Sequence, residues 1–209
     1  MFKTFLRNLL KAMAALSARG IVHADLKPDN ILVETDGDSL RSLKLIDFGS
    51  SFAFNSPPRT LALGTPEYMP PEALDTDESA ISICERSHVW SYDMWALGCI
   101  WIEIASGFPL WLSLKAKVDI EEEYSVFGTG FFAVPGREHA KINQKQLGML
   151  KIGIPECAQR YFESLPWLKR DRQALDLLSR MLAGNPRDRI SPLEALEHPF
   201  LRLKAQKLR

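Results

Sequence analysis

The fold of this chain is decided by one stretch, His23-Ala24-Asp25-Leu26-Lys27-Pro28-Asp29-Asn30, which is followed further on by Asp47-Phe48-Gly49. Between them lie two β-type runs, 31–33 and 43–46, on either side of Asp36-Gly37-Asp38. Turn residues between two apolar runs predict an antiparallel hairpin with a longish turn. A single hairpin therefore carries a polar motif at each of its ends.

Upstream of this hairpin, apolar residues recur at helical spacing from Phe2 to Leu16. The stripe predicts an amphipathic helix that Gly20 ends. The same segment carries basic residues and no acid before Asp25, as a mitochondrial presequence does. The regular apolar stripe favours a structural helix over a targeting segment.

Downstream, residues 47–72 contain several glycines and prolines without periodicity, which predicts a long loop. Helices are predicted over 92–105, with an apolar body buried on all sides, and over 175–182. Ser191-Pro192-Leu193-Glu194 is a capping box and predicts the start of the last helix. Residues 108–160 are mixed in character and predict loops with short helices. The fold class is therefore mainly α with a small β-hairpin.

The composition of the chain limits the classes of function that it can have. The chain has 209 residues, of which 46% are hydrophobic and 25% charged, so it can bury a core without a disulfide or metal. Its 26 basic and 26 acidic residues balance, which argues against a dedicated binder of nucleic acid or of an anionic membrane. The longest apolar run, 94–102, is closed by Glu103 and is far shorter than the roughly 20 residues of a membrane span. Three scattered cysteines without a C-x-x-C spacing favour a reducing compartment, cytoplasmic or nuclear.

The residue types in the two polar motifs suit phosphoryl transfer. That reaction needs a carboxylate beside the attacking hydroxyl, a cation at the migrating phosphoryl group and hard oxygen ligands for Mg²⁺. Asp25 is the candidate that orients the hydroxyl and accepts its proton, because an ordinary aspartate is ionised near neutrality. Taken singly, each of these residues could equally be a turn or cap residue. Their order and their placement on one hairpin make the set far more specific.

The two motifs resemble the catalytic loop, here 23–30, and the metal-binding loop of eukaryotic protein kinases. The resemblance implies that Lys27 approaches the γ-phosphate of ATP and that Asn30 and Asp47 bind Mg²⁺ beside the nucleotide. The pattern Asp-Leu-Lys-Pro implies a Ser/Thr kinase with a protein substrate. The fold it implies is the α+β C-terminal lobe of that family, the large lobe, spanning residues 1–209.

Further matches lie along nearly the whole chain. Gly64-Thr65-Pro66-Glu67-Tyr68 resembles the substrate-docking loop, which implies that Thr65 hydrogen-bonds around the catalytic aspartate and lysine. Pro70-Pro71-Glu72 is similar to the end of the family's activation segment, which here covers 47–72. The segments 107–111 and 126–130 are similar to the group that contains the cyclin-dependent and the dual-specificity tyrosine-regulated kinases.

The resemblance also assigns structural roles to three other residues. It implies that Asp93 braces the backbone of the catalytic loop, although an acid at a helix start is also a common cap. It implies that Arg189 pairs with the glutamate at the end of the activation segment. His23 is expected to pack in the core beneath the catalytic loop.

The sequence departs from the family pattern in two respects. Position 24 is alanine, where many kinases carry an arginine that clamps a phosphorylated activation loop, so phosphorylation should not switch this protein by that route. The chain also starts at the helix before the catalytic loop, so we expect the small lobe of the family to be missing. The 209-residue chain alone is then expected to be inactive or nearly so. Residues 128–134 imitate a glycine-rich loop but are assigned to the region between large-lobe helices.

Two alternatives stay open at this point. The chain could be a non-catalytic protein-binding module, a remnant of a kinase that binds a partner. It could also work with a small-lobe subunit from another chain. Apolar surface exposed by a missing lobe would favour self-association.

Overall fold

The computed structural model describes residues 1–59, 65, 68–74, 79–106 and 171–202. In this part of the chain, helices surround one main apolar core, and the strands form two small antiparallel sheets. The helices are α1 Phe2–Ser17, α2 Pro71–Leu74, α3 Ala80–Glu85, α4 Ser91–Ser106, α5 Arg172–Met181 and α6 Pro192–Leu196. The strands are β1 Ile21–Val22, β2 Ile31–Asp36, β3 Ser39–Leu45 and β4 Phe52–Ala53.

Helix α1 is the amphipathic helix that the sequence predicts. Its apolar stripe is buried through Leu6, Leu9, Leu10 and Met13, and it packs against α6 and β3. The helix ends at Ser17, three residues before the predicted stop. Gly20 instead adopts φ 68° in the turn that leads into β1, a conformation that costs glycine little.

The hairpin of β2 and β3 is confirmed, but the prediction of a longish turn is wrong. Pairing runs from Ile31 opposite Leu45 to Asp36 opposite Ser39, so only two residues connect the strands. Gly37 has φ 54°, the left-handed conformation that so tight a turn requires. Both strands are consequently longer than their apolar runs suggest.

Residues 47–72 are not the wholly irregular loop that their composition predicts. Strand β4 lies within them and pairs with β1, with Phe52 opposite Val22, and α2 begins at Pro71. Helix α3 was likewise not predicted; the side chain of Ser79 caps it by accepting a hydrogen bond from the Ser82 amide. These elements are too short to produce a recognisable period in the sequence.

Helix α4 is the centre of the core; the predicted burial on all sides is confirmed up to Ile102, whereas Ile104 is half exposed. Its residues from Ser91 to Ile102 are all buried, including Trp95 and Trp101, which are fully enclosed. Helix α5 packs against it and begins at Arg172, three residues before the predicted start, because the Asp171 side chain caps the Gln173 and Ala174 amides. The predicted capping box that starts α6 is present.

Several predictions concern residues outside the described ranges. These are the mixed region 108–160, the segments 107–111 and 126–130, and the glycine-containing 128–134. Within the described ranges, no helix is both long and apolar enough to cross a membrane. Cys84 and Cys99, the two cysteines in this part, are both free thiols.

Candidate active site

The backbone of residues 23–30, the predicted catalytic loop, is held by a buried carboxylate. Asp93 lies in the first turn of α4; its Oδ2 accepts a hydrogen bond from the His23 amide at 2.8 Å, and its Oδ1 one from the Ala24 amide at 3.0 Å. Ala24 has φ 65°, which is rare for a residue with a side chain, so the loop depends on this support. Burial raises the pKa of Asp93, and the two backbone hydrogen bonds act in the opposite direction. The predicted bracing role of Asp93 is confirmed.

Asp25 lies at the centre of a closed hydrogen-bond network. Its Oδ1 accepts from the amide of Thr65 at 3.0 Å and from the Thr65 hydroxyl at 2.8 Å. Its Oδ2 accepts from Lys27 Nζ at 2.8 Å and from Asn30 Nδ2 at 3.1 Å. Because both oxygens are held, the plane of the carboxylate is fixed.

The same network keeps Asp25 ionised. Partial burial alone would raise its pKa, but hydrogen bonds from Lys27 and Thr65, together with the Lys27 charge, outweigh burial and lower the pKa. The group is therefore a carboxylate at neutral pH and a weak base, which suits a hydroxyl-orienting role.

Lys27 links the predicted catalytic loop to Thr65 in the predicted activation segment. Its ammonium donates to Asp25 and also to Thr65 Oγ1 at 2.9 Å. About a fifth of its side chain, 22%, is exposed, so the ammonium keeps access to solvent and to a ligand. The contact implied for Thr65, around both Asp25 and Lys27, is confirmed.

Asn30 ends the short 3₁₀ turn Pro28–Asn30 and is almost fully buried. Its Nδ2 donates to the backbone carbonyl of Asp25 at 2.8 Å as well as to the Asp25 carboxylate. Both described bonds use the amide nitrogen, so the carbonyl oxygen Oδ1 is the atom suited to a cation. The backbone oxygen of Asn30 accepts from the Ile46 amide at 3.0 Å, which places the next residue, Asp47, beside this loop.

Asp47 does not join the network around Asp25 among the described residues. It is exposed, has φ 59°, and its Oδ1 accepts from the Gly49 amide at 3.2 Å. A non-glycine residue in this conformation is uncommon and marks a constrained turn. The structure thus brings Asp25, Lys27, Asn30 and Thr65 together and leaves Asp47 on an adjacent, solvent-accessible turn.

His23 connects the catalytic loop to this turn. The ring is completely buried, its Nε2 lies 3.1 Å from the Ile46 carbonyl, and its centroid is 4.8 Å from that of Phe48. Since a carbonyl can only accept, Nε2 carries the proton in this contact. The expected packing of His23 beneath the loop is confirmed.

Glu72, at the end of the predicted activation segment, is anchored by an ion pair. Arg189 donates to both oxygens of Glu72, at 2.6 and 2.7 Å, and further donates to the Ser91 carbonyl at 2.9 Å. Its guanidinium also lies over the ring of Trp95, 4.9 Å from the centroid. The pair implied by the resemblance is confirmed.

One contact near the end of the predicted activation segment was not predicted from the sequence. The hydroxyl of Tyr68 donates to the carboxylate of Glu103 on α4. In the sequence, Glu103 only closes an apolar run, and nothing there indicates its partner. The only signal in the sequence is weak: a carboxylate that directly follows a long buried apolar run needs a hydrogen-bond donor.

The oxygen donors at the site fit Mg²⁺. Within the described ranges, no three His, Cys, Asp or Glu side chains cluster as a metal site would. Mg²⁺ is commonly bound through one or two protein oxygens together with water and substrate phosphates. The Asn30 amide oxygen and the Asp47 carboxylate are hard donors of that kind, and they fit a cation shared with a nucleotide.

Comparison with known proteins agrees with this geometry. Residues 1–201 match the protein kinase domain, and the chain belongs to the protein kinase family. It is 31% identical to mitogen-activated protein kinase spm1 of Cytospora mali, over 97% of this chain and 46% of that protein. It is 34% identical to cell division control protein 2 homolog 3 of Trypanosoma brucei brucei, over 95% of this chain and 59% of that protein.

A third relative is mitogen-activated protein kinase MPS1 of Pyricularia oryzae. The chain is 30% identical to it, over 97% of this chain and 46% of that protein. The chain spans about half the length of the curated relatives it matches. These relatives are consistent with a Ser/Thr kinase related to the CMGC group, so the resemblance seen in the sequence is confirmed.

Proposed function

We propose that the protein is a Ser/Thr protein kinase, which transfers the γ-phosphoryl group of ATP to a hydroxyl of a protein substrate. The observation that carries the proposal is the closed network in which Asp25 binds Lys27, Asn30 and Thr65. It combines an oriented carboxylate with a cation beside it, the two groups that phosphoryl transfer needs next to the attacking oxygen.

In the proposed reaction, Asp25 orients the substrate hydroxyl. The hydroxyl oxygen forms a bond to the γ-phosphorus, and the bond between that phosphorus and the bridging oxygen of ADP breaks. The hydroxyl proton passes to the Asp25 carboxylate and then to solvent. Lys27 offsets charge on the phosphoryl oxygens. Thr65 holds the Asp25 carboxylate and the Lys27 ammonium in fixed positions through a hydrogen bond to each.

ATP would be bound beside Lys27, Asn30 and Asp47. Mg²⁺, when bound, neutralises phosphate charge and aligns the phosphates. Asn30 would hold it through Oδ1, since its amide nitrogen is engaged by Asp25. Asp47 would hold it through its exposed carboxylate, and its turn positions it next to Asn30 through the Ile46 amide.

The same proposal assigns residues 1–209 to the large lobe, with the catalytic loop at 23–30 and the activation segment at 47–72. The described residues supply the catalytic-loop side of a nucleotide site, so the isolated chain should transfer phosphate slowly or not at all. An ATP-dependent protein that keeps Cys84 and Cys99 as thiols fits the cytosol or the nucleus.

Two measurements test the proposal. The first is the intact mass of the endogenous protein, since a mass well above the 23.6 kDa of this chain identifies the longer enzyme to be assayed. The second is Asp25→Asn in the full-length protein, assayed with Mg-ATP and a generic protein substrate. The substitution keeps the size of the side chain and removes the proton acceptor, so kcat should fall by about a thousandfold.

Asp29→Asn is the matched control, because Asp29 is an exposed acid one residue before Asn30 and lies outside the network. It should retain nearly the full rate. Near-normal transfer by Asp25→Asn would overturn the proposal. A full-length protein that transfers no phosphate but binds a partner through the activation segment would favour the binding-module alternative.

A further inference from the structure

Helix α1 carries a charge pattern that the proposed function does not use. Its charged residues are Lys3, Arg7 and Lys11, and none of its 16 residues is acidic. The three cations are spaced four residues apart, so they lie along one edge of the helix, beside the apolar stripe that packs in the core. We call this edge the basic stripe.

The basic stripe weakens the helix that carries it. Lys3 lies in the first turn, where the positive end of the helix dipole disfavours a cation, and no acid in that turn compensates. Like charges at positions i and i+4 repel each other on a helix surface, and this applies to Lys3 with Arg7 and to Arg7 with Lys11. Stability of α1 therefore does not explain these charges.

Lys3 has a structural role of its own. Its Nζ donates to the Phe200 carbonyl at 2.7 Å and lies 4.2 Å from the centroid of the Phe200 ring. Within the residues that the structure describes, the side chains of Arg7 and Lys11 make no hydrogen bond or ion pair. These two cations are the part of the basic stripe that is available to a partner.

The surroundings of Arg7 point most directly to an anionic partner. Its side chain is partly buried, and its Nε is shielded from solvent with no acceptor among the described residues. A shielded donor on a charged group is costly, because it has lost water and gained no counter-charge. A carboxylate that binds the outer nitrogens of the guanidinium would supply that counter-charge.

The spacing of the two cations fits an extended acidic peptide. Lys11 is exposed one helical turn after Arg7, so their Cβ atoms are about 5 to 6 Å apart. Alternate side chains of an extended strand point to the same side at intervals of about 7 Å. Two acidic residues separated by one residue can therefore reach Arg7 and Lys11 together.

The other common polyanions fit the basic stripe less well. Residues 1–24 contain no acid and the whole chain has equal numbers of acids and bases, so acids are in excess in the remainder. That excess disfavours approach to the broad negative surface of a nucleic acid or an anionic membrane. A membrane-binding helix also needs large apolar side chains at its surface, and none of those exposed in the described ranges belongs to α1.

We propose that the basic stripe, through Arg7 and Lys11, is a docking surface for an acidic segment of a partner protein. Arg7 lies about 15 Å along the helix axis from the end of α1, and the chain continues through β1 before it reaches Asp25. Docking on the stripe therefore leaves the network around Asp25 accessible. The inference goes beyond the proposed kinase function and does not depend on it.

The test measures the binding of fluorescein-labelled octaglutamate to the full-length protein by fluorescence anisotropy. Labelled octaglutamine, phosphatidylcholine vesicles that contain phosphatidylserine, and a single-stranded oligonucleotide are the comparison probes. The variants are Arg7→Met, which keeps an apolar stem, and Lys11→Gln. The matched control is Arg180→Met, because Arg180 is a helical arginine that already pairs with Asp176 at i,i+4.

Arg7→Met should weaken octaglutamate binding about tenfold, because it removes a charge-assisted hydrogen-bond donor. Lys11→Gln should weaken it about threefold, and Arg180→Met should leave it unchanged. Binding by the wild type should fall as NaCl is raised from about 50 mM to about 200 mM. Octaglutamine should not bind.

Urea unfolding separates a docking role of Arg7 from a structural one. Arg7→Met relieves like-charge repulsion and removes a shielded donor, so its urea midpoint should equal or exceed that of the wild type. A lower midpoint would contradict the assignment of Arg7 to docking. Lys11→Glu, at an exposed position, then tests the surface without disturbing the fold, and it should weaken octaglutamate binding more than Lys11→Gln does.

Three results overturn the proposal. The first is octaglutamate binding that is undetectable in the wild type or equal to that of octaglutamine. The second is wild-type affinity in both Arg7→Met and Lys11→Glu. The third is tighter binding of the vesicles or of the oligonucleotide, lost in the same variants, which would assign the stripe to a membrane or to a nucleic acid. None of these readouts requires phosphoryl transfer, so they stand whether or not the kinase function does.

Discussion

Arg189 and Glu72 meet in a bidentate ion pair although 117 residues separate them along the chain. The arginine side chain is fully buried, and the glutamate is 11% exposed. The arginine also donates to the carbonyl of Ala183 at 2.9 Å, so one side chain connects Glu72 in α2 to the loop after α5.

Breaking this pair from one side should destabilise the protein strongly. Glu72→Gln leaves the buried guanidinium without its counter-charge, and we expect a loss of about 3 to 5 kcal/mol in the free energy of unfolding. The control is Asp36→Asn, which breaks the exposed pair of Asp36 and Arg41 and should cost at most about 1 kcal/mol. Urea unfolding of both variants measures the difference, and equal losses would contradict the prediction.

The lowered pKa of Asp25 predicts a pH window for its contribution to stability. A carboxyl whose pKa is lower in the folded state binds protons less readily there, so it stabilises the fold at pH values above its unfolded pKa, ordinarily 3.8. That contribution disappears as the pH falls through the lower, folded-state pKa. Asp25→Asn lacks it at every pH.

The measurement is the urea midpoint of wild type and Asp25→Asn from about pH 7 to about pH 3. The difference between them should be constant down to about pH 5 and then change as the wild type loses the ionised carboxylate. A difference that already changes between about pH 7 and pH 6 would mean that the Asp25 pKa is raised.

Asp93→Asn should impair catalysis because the two oxygens of Asp93 serve two different amides, those of His23 and Ala24. An asparagine has only one oxygen, so one buried amide would face an NH₂ group. We expect kcat to fall by about tenfold or more and stability by about 1 to 3 kcal/mol.

Asp171→Asn is the matched control for that substitution. Asp171 also accepts from two backbone amides, but a single oxygen, Oδ1, serves both. Asparagine preserves that geometry and is an equally good N-cap, so stability should be nearly unchanged. Similar effects of the two substitutions on kcat would refute the bracing argument.

Gly98 permits the close packing of α4 against α5. A Cβ at this position would lie 2.6 Å from Leu182 Cδ2 and 2.7 Å from its Cγ, which is a steric overlap. Gly98→Ala should therefore cost about 1 to 3 kcal/mol, despite the better helix propensity of alanine. Gly184→Ala, where no atom of the described residues lies within 4 Å of the added Cβ, should change stability by about 0.5 kcal/mol or less.

A double-mutant cycle with Leu182→Ala checks that explanation. Removing the leucine branch makes room for the new methyl group, so the double variant should lose less stability than the sum of the two single losses. If the losses of the two single variants simply add up in thermal or urea unfolding, steric overlap with Leu182 is not the cause of the instability of Gly98→Ala.

The candidate site could be predicted to the extent that its residues are close in sequence. Asp25, Lys27 and Asn30 lie within one loop, and their contacts are short-range consequences of that loop. Asp47 follows the hairpin that starts at Ile31, and pairing of its strands carries the chain back to Asn30. The bond of Thr65 to Asp25 followed only from the family resemblance, because 40 residues separate the two.

The sequence by itself determined the amphipathic helix α1, the buried helix α4 and the capping box that starts α6. Each follows from periodicity or from a side chain that bonds to its own neighbours, so no distant residue is needed. The tertiary structure alone decided the pairing of β4 with β1, the contact of Tyr68 with Glu103 and the packing of Met69 and Tyr92 against Val22 and Ala24. These contacts join short segments that are stable only when packed together, since two-residue strands have no independent stability and leave no periodic signal in the sequence.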